Sequence, residues 1–205
     1  GASRPAGSMV PRSFDFTLAL PAYAYDPAKA KQLLAEAGYA KGFDGGDFYP
    51  YPPYWSAGET IVNYLGAVGI RMKVRTMERA AFQTAWNGKK LSGICMCTLA
   101  NFGNASTRLA EVVQSEGAYA RGADADVETL FKQQMRETDR KKREAMLHKI
   151  QQTLYDRVRF GPLYEFIWPS GIGPRVAEPA LLLIDPYPWS APYEEVRLKP
   201  RGGSR

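Results

Sequence analysis

The chain has 205 residues, 45% hydrophobic and 23% charged, a composition that supports a buried core and excludes disorder over most of its length. The formal net charge of +6 is dispersed, because Arg and Lys interleave with Asp and Glu; the one basic run, Arg140-Lys141-Lys142-Arg143, reads as a solvated helix face. No stretch approaches about 20 consecutive apolar residues, so no membrane-spanning helix is predicted, and no zinc-ligand spacing or recognition-helix pattern accompanies the charge, so nucleic acid is not an expected partner.

The first dozen residues are rich in Gly, Pro and Ser and lack the apolar centre of a signal peptide, and residues 1–21 read as a linker or hinge. The first helix is strongly signalled: Asp26 as N-cap, Pro27 at the first helical position, Gly38 as terminator, and Ala30, Leu33, Leu34 and Ala37 as one apolar stripe. A glycine- and aromatic-rich stretch, Gly42 to Trp55, follows. Ser56 and Glu59 read as a capping box opening a second helix with Ile61, Leu65 and Val68 on one face. Ile70 to Arg75 alternates apolar and basic residues, the pattern of a half-buried strand. Glu78 to Trp86 reads as a short helix and Gly93 to Leu99 as a buried strand. Helices are predicted over Asn104–Ser115 and Asp126–Glu137. Asp139 caps a long helix whose inner face is Met146, Leu147, Ile150, Leu154 and Tyr155. Phe160 to Trp168 reads as a strand and Glu195 to Lys199 as another, with a proline-rich irregular stretch between them. The alternation of helix and strand points to the α/β class.

The residues that could carry catalysis are sparse. His148 lies inside an amphipathic helix without an evident partner, and Asp124 and Asp126 read as helix caps. Cys95 and Cys97, one residue apart, are too close in sequence for an unstrained disulfide and read as thiols. They lack the further ligands a metal needs. No catalytic residue, metal or cofactor is expected, and the chain reads as a non-enzyme.

Several segments, in order, resemble the oligopeptide/dipeptide class of bacterial extracellular solute-binding proteins, family 5. Tyr25-Asp26-Pro27-Ala28-Lys29-Ala30-Lys31-Gln32-Leu33-Leu34-Ala35-Glu36-Ala37-Gly38-Tyr39 is similar to that family's helix nearly residue for residue. Leu65-Gly66-Ala67-Val68-Gly69-Ile70 and the strand after it, Asp139 to Glu144 with Ile150-Gln151-Gln152, and Phe160-Gly161-Pro162-Leu163-Tyr164 follow in the family's order. The resemblance covers Val10 to Lys199 and only the second half of a family member. It implies the second lobe of a type II periplasmic-binding-protein-like fold over 22–166, a return segment of the first lobe over 167–200, and a disordered tail over 201–205. It further implies periplasmic or extracellular solute capture between two lobes for an ABC importer, an ABC transporter permease as partner, and self-association of the chain when the other lobe is absent.

In peptide-binding members one strand carries a Gly-Trp-x-x-Asp pattern whose aspartate pairs with the peptide amino group. Here that segment is Gly93-Ile94-Cys95-Met96-Cys97, with Cys97 at the aspartate position. A buried ammonium without a counter-ion is costly, so a sugar-like or otherwise neutral or weakly charged solute is expected in place of a peptide held by its free amino group. The candidate ligand-binding residues are Tyr51, Tyr54, Trp55, Cys97, Asn101, Phe102 and Asn104. Each has a plainer alternative reading: rings that pin their loop to the lobe, and asparagines that make a turn and cap a helix. A second functional reading, a basic module that binds nucleic acid or an anionic surface, rests on net charge alone.

Overall fold

The computed structural model describes residues 3–99, 103–122, 124–165, 171–181 and 192–200. They belong to two compact units, unit 1 (Gly1–Ala22 with Asn101–Arg205) and unit 2 (Tyr23–Ala100). The predicted lobe of 22–166 takes in all of unit 2 and part of unit 1. Along the chain the elements are β1 (Arg4–Pro5), α1 (Pro27–Glu36), β2 (Phe43–Tyr49), α2 (Trp55–Ala67), β3 (Ile70–Val74), α3 (Arg79–Asn87), β4 (Ile94–Cys95), α4 (Ala105–Val113), α5 (Ala125–Gln134), α6 (Arg140–Asp156), β5 (Tyr164–Glu165), β6 (Val176–Glu178) and β7 (Arg197–Leu198).

Unit 2 is built on a three-stranded sheet of order β3-β2-β4, with β2 parallel to both neighbours. Parallel neighbours require crossover connections, and α2 and α3 supply them. The central strand is the element the sequence conceals. Its Asp44-Gly45-Gly46-Asp47 stretch is poor in strand formers. Pairing nevertheless runs from Phe43↔Ile70 to Phe48↔Val74, with an irregularity between Asp44 and Gly46. There Gly46 adopts φ +75° and donates its N–H to Asp44 Oδ1, a bulge that a side chain satisfies locally.

α1 begins as expected, with the Asp26 carboxylate accepting from Lys29 N and Pro27 in the first turn. Its apolar stripe, however, is not covered by the described residues: none of its residues is buried and Leu33 is 51% exposed. Tyr25 against Tyr64 and Tyr39 against Phe43 secure its two ends. α2 departs from the capping-box expectation. It starts at Trp55, and its N-cap, Tyr54, makes no side-chain cap bond. Ser56 thus lies inside the first turn, where its hydroxyl cannot cap, and its carbonyl accepts from Thr60 Oγ1 instead. α3 starts one residue later than predicted because Glu78 is its cap, accepting from Ala80 N and Ala81 N. The predicted buried strand over 93–99 is only two residues of ladder, with Ile94 48% exposed.

Unit 1 packs α4, α5 and α6 around Leu109, Val112, Val127, Phe131, Leu147, Ile150 and Leu154, all buried. The segment predicted as linker belongs to this core: Ala6, Val10, Phe14 and Phe16 are buried, and Arg4–Pro5 pairs antiparallel with Tyr164–Glu165. Gln151 ties the segment down. It accepts from Leu18 N and donates to the carbonyls of Phe16 and Leu147. The inner face of α6 therefore includes Gln151, while Met146 and Tyr155 are only half-buried. The basic run is not wholly solvated either. Arg140 and Arg143 lie 4.6 and 5.7 Å from the Phe16 ring centre, and Arg143 Nε donates to the buried Gln134. The late strands pair antiparallel, β6 with β7. The tail, Trp168 and Trp189 lie outside the described residues.

Asp124 and Asp126 do not act as side-chain caps. Asp124 makes no cap bond and reaches Arg157 and Arg159 at 4.0 and 3.5 Å. Asp126 holds Arg157 through both carboxylate oxygens. The Arg157 hydrogen bond is the main cause that keeps the Asp126 carboxyl below its ordinary value. A carboxyl depressed on folding contributes stability above its unfolded pKa and loses it as pH falls through the folded value. Stability is therefore expected to drop on acidification below about pH 4. Asp126→Asn should flatten that limb of a urea-midpoint profile, and a profile identical to wild type would refute the assignment.

Candidate functional site

In an open parallel sheet, a ligand site forms outside the carboxyl ends of the strands where the strand order reverses. In unit 2 that point lies between β2 and β4, because β3 pairs on one side of β2 and β4 on the other. Two segments leave the sheet there. One is the loop from Pro50 to Tyr54 that ends at Trp55, and the other is Met96 to Leu99. They depart side by side: Tyr49 pairs with Cys95, and Met96 N donates to the Tyr49 carbonyl at 2.9 Å. β4 can approach β2 this closely because Gly93 takes φ +117°, and a Cβ on it would lie 2.3 Å from the Asp47 carbonyl oxygen.

The rings of the aromatic loop divide into two roles. Tyr51 meets the buried Phe82 edge-on at 5.4 Å and stacks on Tyr54 at 6.3 Å, while Phe82 stacks on Trp86 at 5.9 Å. Tyr51 therefore fastens the loop to α3. Trp55 is 41% exposed. Pro50 is fully buried beneath α2, and Gly58 lets the helix settle on it, since a Cβ there would lie 2.6 Å from the proline ring. Cys95 and Cys97 are thiols and half-buried. Asp47 binds Arg75 Nε at 2.9 Å and accepts from the Tyr49 hydroxyl at 3.3 Å. Tyr51, Tyr54, Trp55 and Cys97 are thus gathered at one end of the sheet. The arrangement offers aromatic area, thiols and a neutralised carboxylate, which suits binding.

Asn104 belongs to unit 1 and is engaged as a helix cap. Its carboxamide accepts from Thr107 N, and the Thr107 hydroxyl accepts from Asn104 N in return. Asn101 and Phe102 lie outside the described residues. Sequence reasoning overlooked Arg108, Gln134 and Gln151, all buried. The signal was present: each is a polar residue on the apolar stripe of its helix. Among the described residues no group of three or more His, Cys, Asp or Glu could hold a metal, and no helix is long and apolar enough to cross a membrane.

With this geometry established, the comparisons give a consistent assignment. Residues 1–120 match the family model described as bacterial extracellular solute-binding proteins, family 5 Middle, and the chain belongs to that family. The glutathione-binding protein GsiB of Escherichia coli K12 is 31% identical over 107 residues, 47% of this chain and 20% of that protein. GsiB of Salmonella typhi is 30% identical over the same length. Among solved structures, HbpA2 from Haemophilus parasuis superimposes with TM-score 0.76 at 22% identity, over 97% of this chain and 41% of that one. The periplasmic binding protein DppA from Helicobacter pylori, in complex with the peptide STSA, gives 0.70 at 22% identity, over 79% and 33%. The fold is that of the type II periplasmic binding proteins, and the chain spans about a fifth of the length of the curated relatives it matches.

Proposed function

We infer that the chain is part of a protein that captures a solute for an ABC importer in the periplasm or outside the cell, and that it catalyses no reaction. Its macromolecular partner is the transporter permease. The observation that carries this reading is the convergence of Trp55, Tyr54 and Cys97 at the switch point of a parallel sheet, where a small molecule can lie against strand ends. The solute is of the peptide class. That supports a revision of the neutral, sugar-like solute expected from the sequence, because the relatives are named for glutathione and a structural neighbour holds a peptide. Titrating the protein with glutathione and with di- and tripeptides while following thermal unfolding tests this. A true ligand at about 100 times its Kd stabilises by about 2.7 kcal/mol. No response to any of these compounds would remove the reading.

Cys97 bears on how a peptide is held. With a thiol in place of a carboxylate, the strand end supplies no counter-ion to an amino terminus. Cys97→Asp is expected to favour a free-amino peptide over its N-acetylated form by about tenfold relative to wild type, the worth of one charge-assisted contact. An unchanged ratio in calorimetry would place the amino group elsewhere.

A further inference from the structure

The three strands of unit 2 run parallel, so the segments that follow Tyr49, Val74 and Cys95 all leave at one end of the sheet. The first and third of them form the candidate site. The second, residues 75–78, leads into α3, whose first residue is Arg79. Arg79 and Phe82 stand three residues apart and share a helix face. Tyr51 of the aromatic loop bridges the two. Its ring meets the buried Phe82 edge-on at 5.4 Å, and its hydroxyl accepts from Arg79 Nη2 at 3.5 Å. The Arg79 guanidinium is thus brought to the aromatic loop, in the same unit as Tyr54, Trp55 and Cys97.

The neighbouring charges are already engaged. Arg75 is paired with Asp47 at 2.9 Å, and the Glu78 carboxylate caps α3 by accepting from Ala80 N and Ala81 N. Arg79 is exposed, and among the described residues of unit 2 the ion pair formed is that of Arg75, not one of Arg79. The bond to Tyr51 occupies one of the five N–H donors of the guanidinium. At that length it steers the group without satisfying it. Arginine grips a carboxylate through two parallel N–H donors, and one engaged donor leaves at least one such edge available. The group is held near its place before a ligand arrives, so less ordering remains to be done on binding.

We propose that Arg79 is the receptor for the carboxylate of the bound peptide, steered to the aromatic loop by the Tyr51 hydroxyl. The proposal rests on the solute-capture reading and narrows it to carboxylate-bearing peptides: with a thiol at Cys97, charge recognition passes from the amino end of the solute to its acid end. The test is calorimetry of wild type, Arg79→Gln and Arg79→Lys with an alanine tripeptide and with its carboxy-terminal amide. Arg79→Gln should weaken the free acid about tenfold, the worth of one charge-assisted contact, and leave the amide unchanged. Arg79→Lys should weaken the acid by less, because it keeps the charge and loses the paired donors. An acid affinity unchanged in Arg79→Gln, or an equal loss for acid and amide, would overturn the proposal. If wild type binds neither compound, the capture reading fails separately, and nuclear magnetic resonance of the arginine Nε–H signals then reads the receptor alone. Saturable movement, on adding acetate, of the signal that Arg79→Gln removes would support it, and a signal that stays in place would overturn it.

Discussion

Gly93→Val is expected to cost unit 2 about 3 kcal/mol or more and to dissolve the strand-end site. A left-handed backbone costs a β-branched residue about 1–3 kcal/mol, and φ is +117° at this position. The added Cβ would also meet the Asp47 carbonyl oxygen at 2.3 Å and its carbon at 3.2 Å. Both are backbone atoms of the central strand and cannot swing aside. The ladder from Phe48↔Ile94 to Tyr49↔Cys95 and the Met96–Tyr49 hydrogen bond would open, releasing Cys97 from beside the aromatic loop. Urea unfolding measures the loss. Hydrogen exchange should localise it, with faster exchange at Met96 N and little change in α4 to α6. Wild-type protection at Met96 would show that β4 tolerates the side chain.

Gln151→Leu is expected to cost unit 1 about 2–4 kcal/mol although it replaces a polar side chain with an apolar one. Gln151 is 3% exposed and serves three backbone groups, accepting from Leu18 N at 2.9 Å and donating to the carbonyls of Phe16 at 2.8 Å and Leu147 at 3.1 Å. The Leu147 carbonyl loses little, because it can accept from its own helix. Leu18 N and Phe16 O lose this partner, and each buried group left unsatisfied costs about 1–3 kcal/mol. The segment carrying Val10, Phe14 and Phe16 should then detach readily from the helices, and limited proteolysis between residues 6 and 20 reports it. Stability equal to wild type would show that apolar packing alone holds the segment.

Much of unit 2 was legible because its signals are short-range. Asp26 with Pro27, the alternation of Ile70 to Val74, and Gly38 as terminator act within a few residues, so they can be read from a string of letters. Asp139 is read the same way in unit 1, where its carboxylate accepts from Lys141 N and Lys142 N. The family was legible too, through the order of its motifs. The aromatic loop and Cys97 were named from the sequence as candidate ligand contacts, and the structure brings both to one end of the sheet; the different packing of the rings was not legible. Nothing in the sequence separates Tyr51, which packs on Phe82, from Trp55, which is exposed.

The amino-acid sequence by itself determined where α1 and α6 begin, since capping by Asp26 and Asp139 is a local property of the chain, and, through the order of its motifs, which family the chain joins. Only the tertiary structure decided that Phe43–Tyr49 is the central strand, that Ala6, Val10, Phe14 and Phe16 are core, and that Arg108 is buried. Strand pairing and burial depend on residues far apart in sequence. An Asp-Gly-Gly-Asp stretch becomes a strand because Ile70–Val74 and Ile94–Cys95 flank it, and an arginine on a helix is unremarkable until Phe14 closes over it.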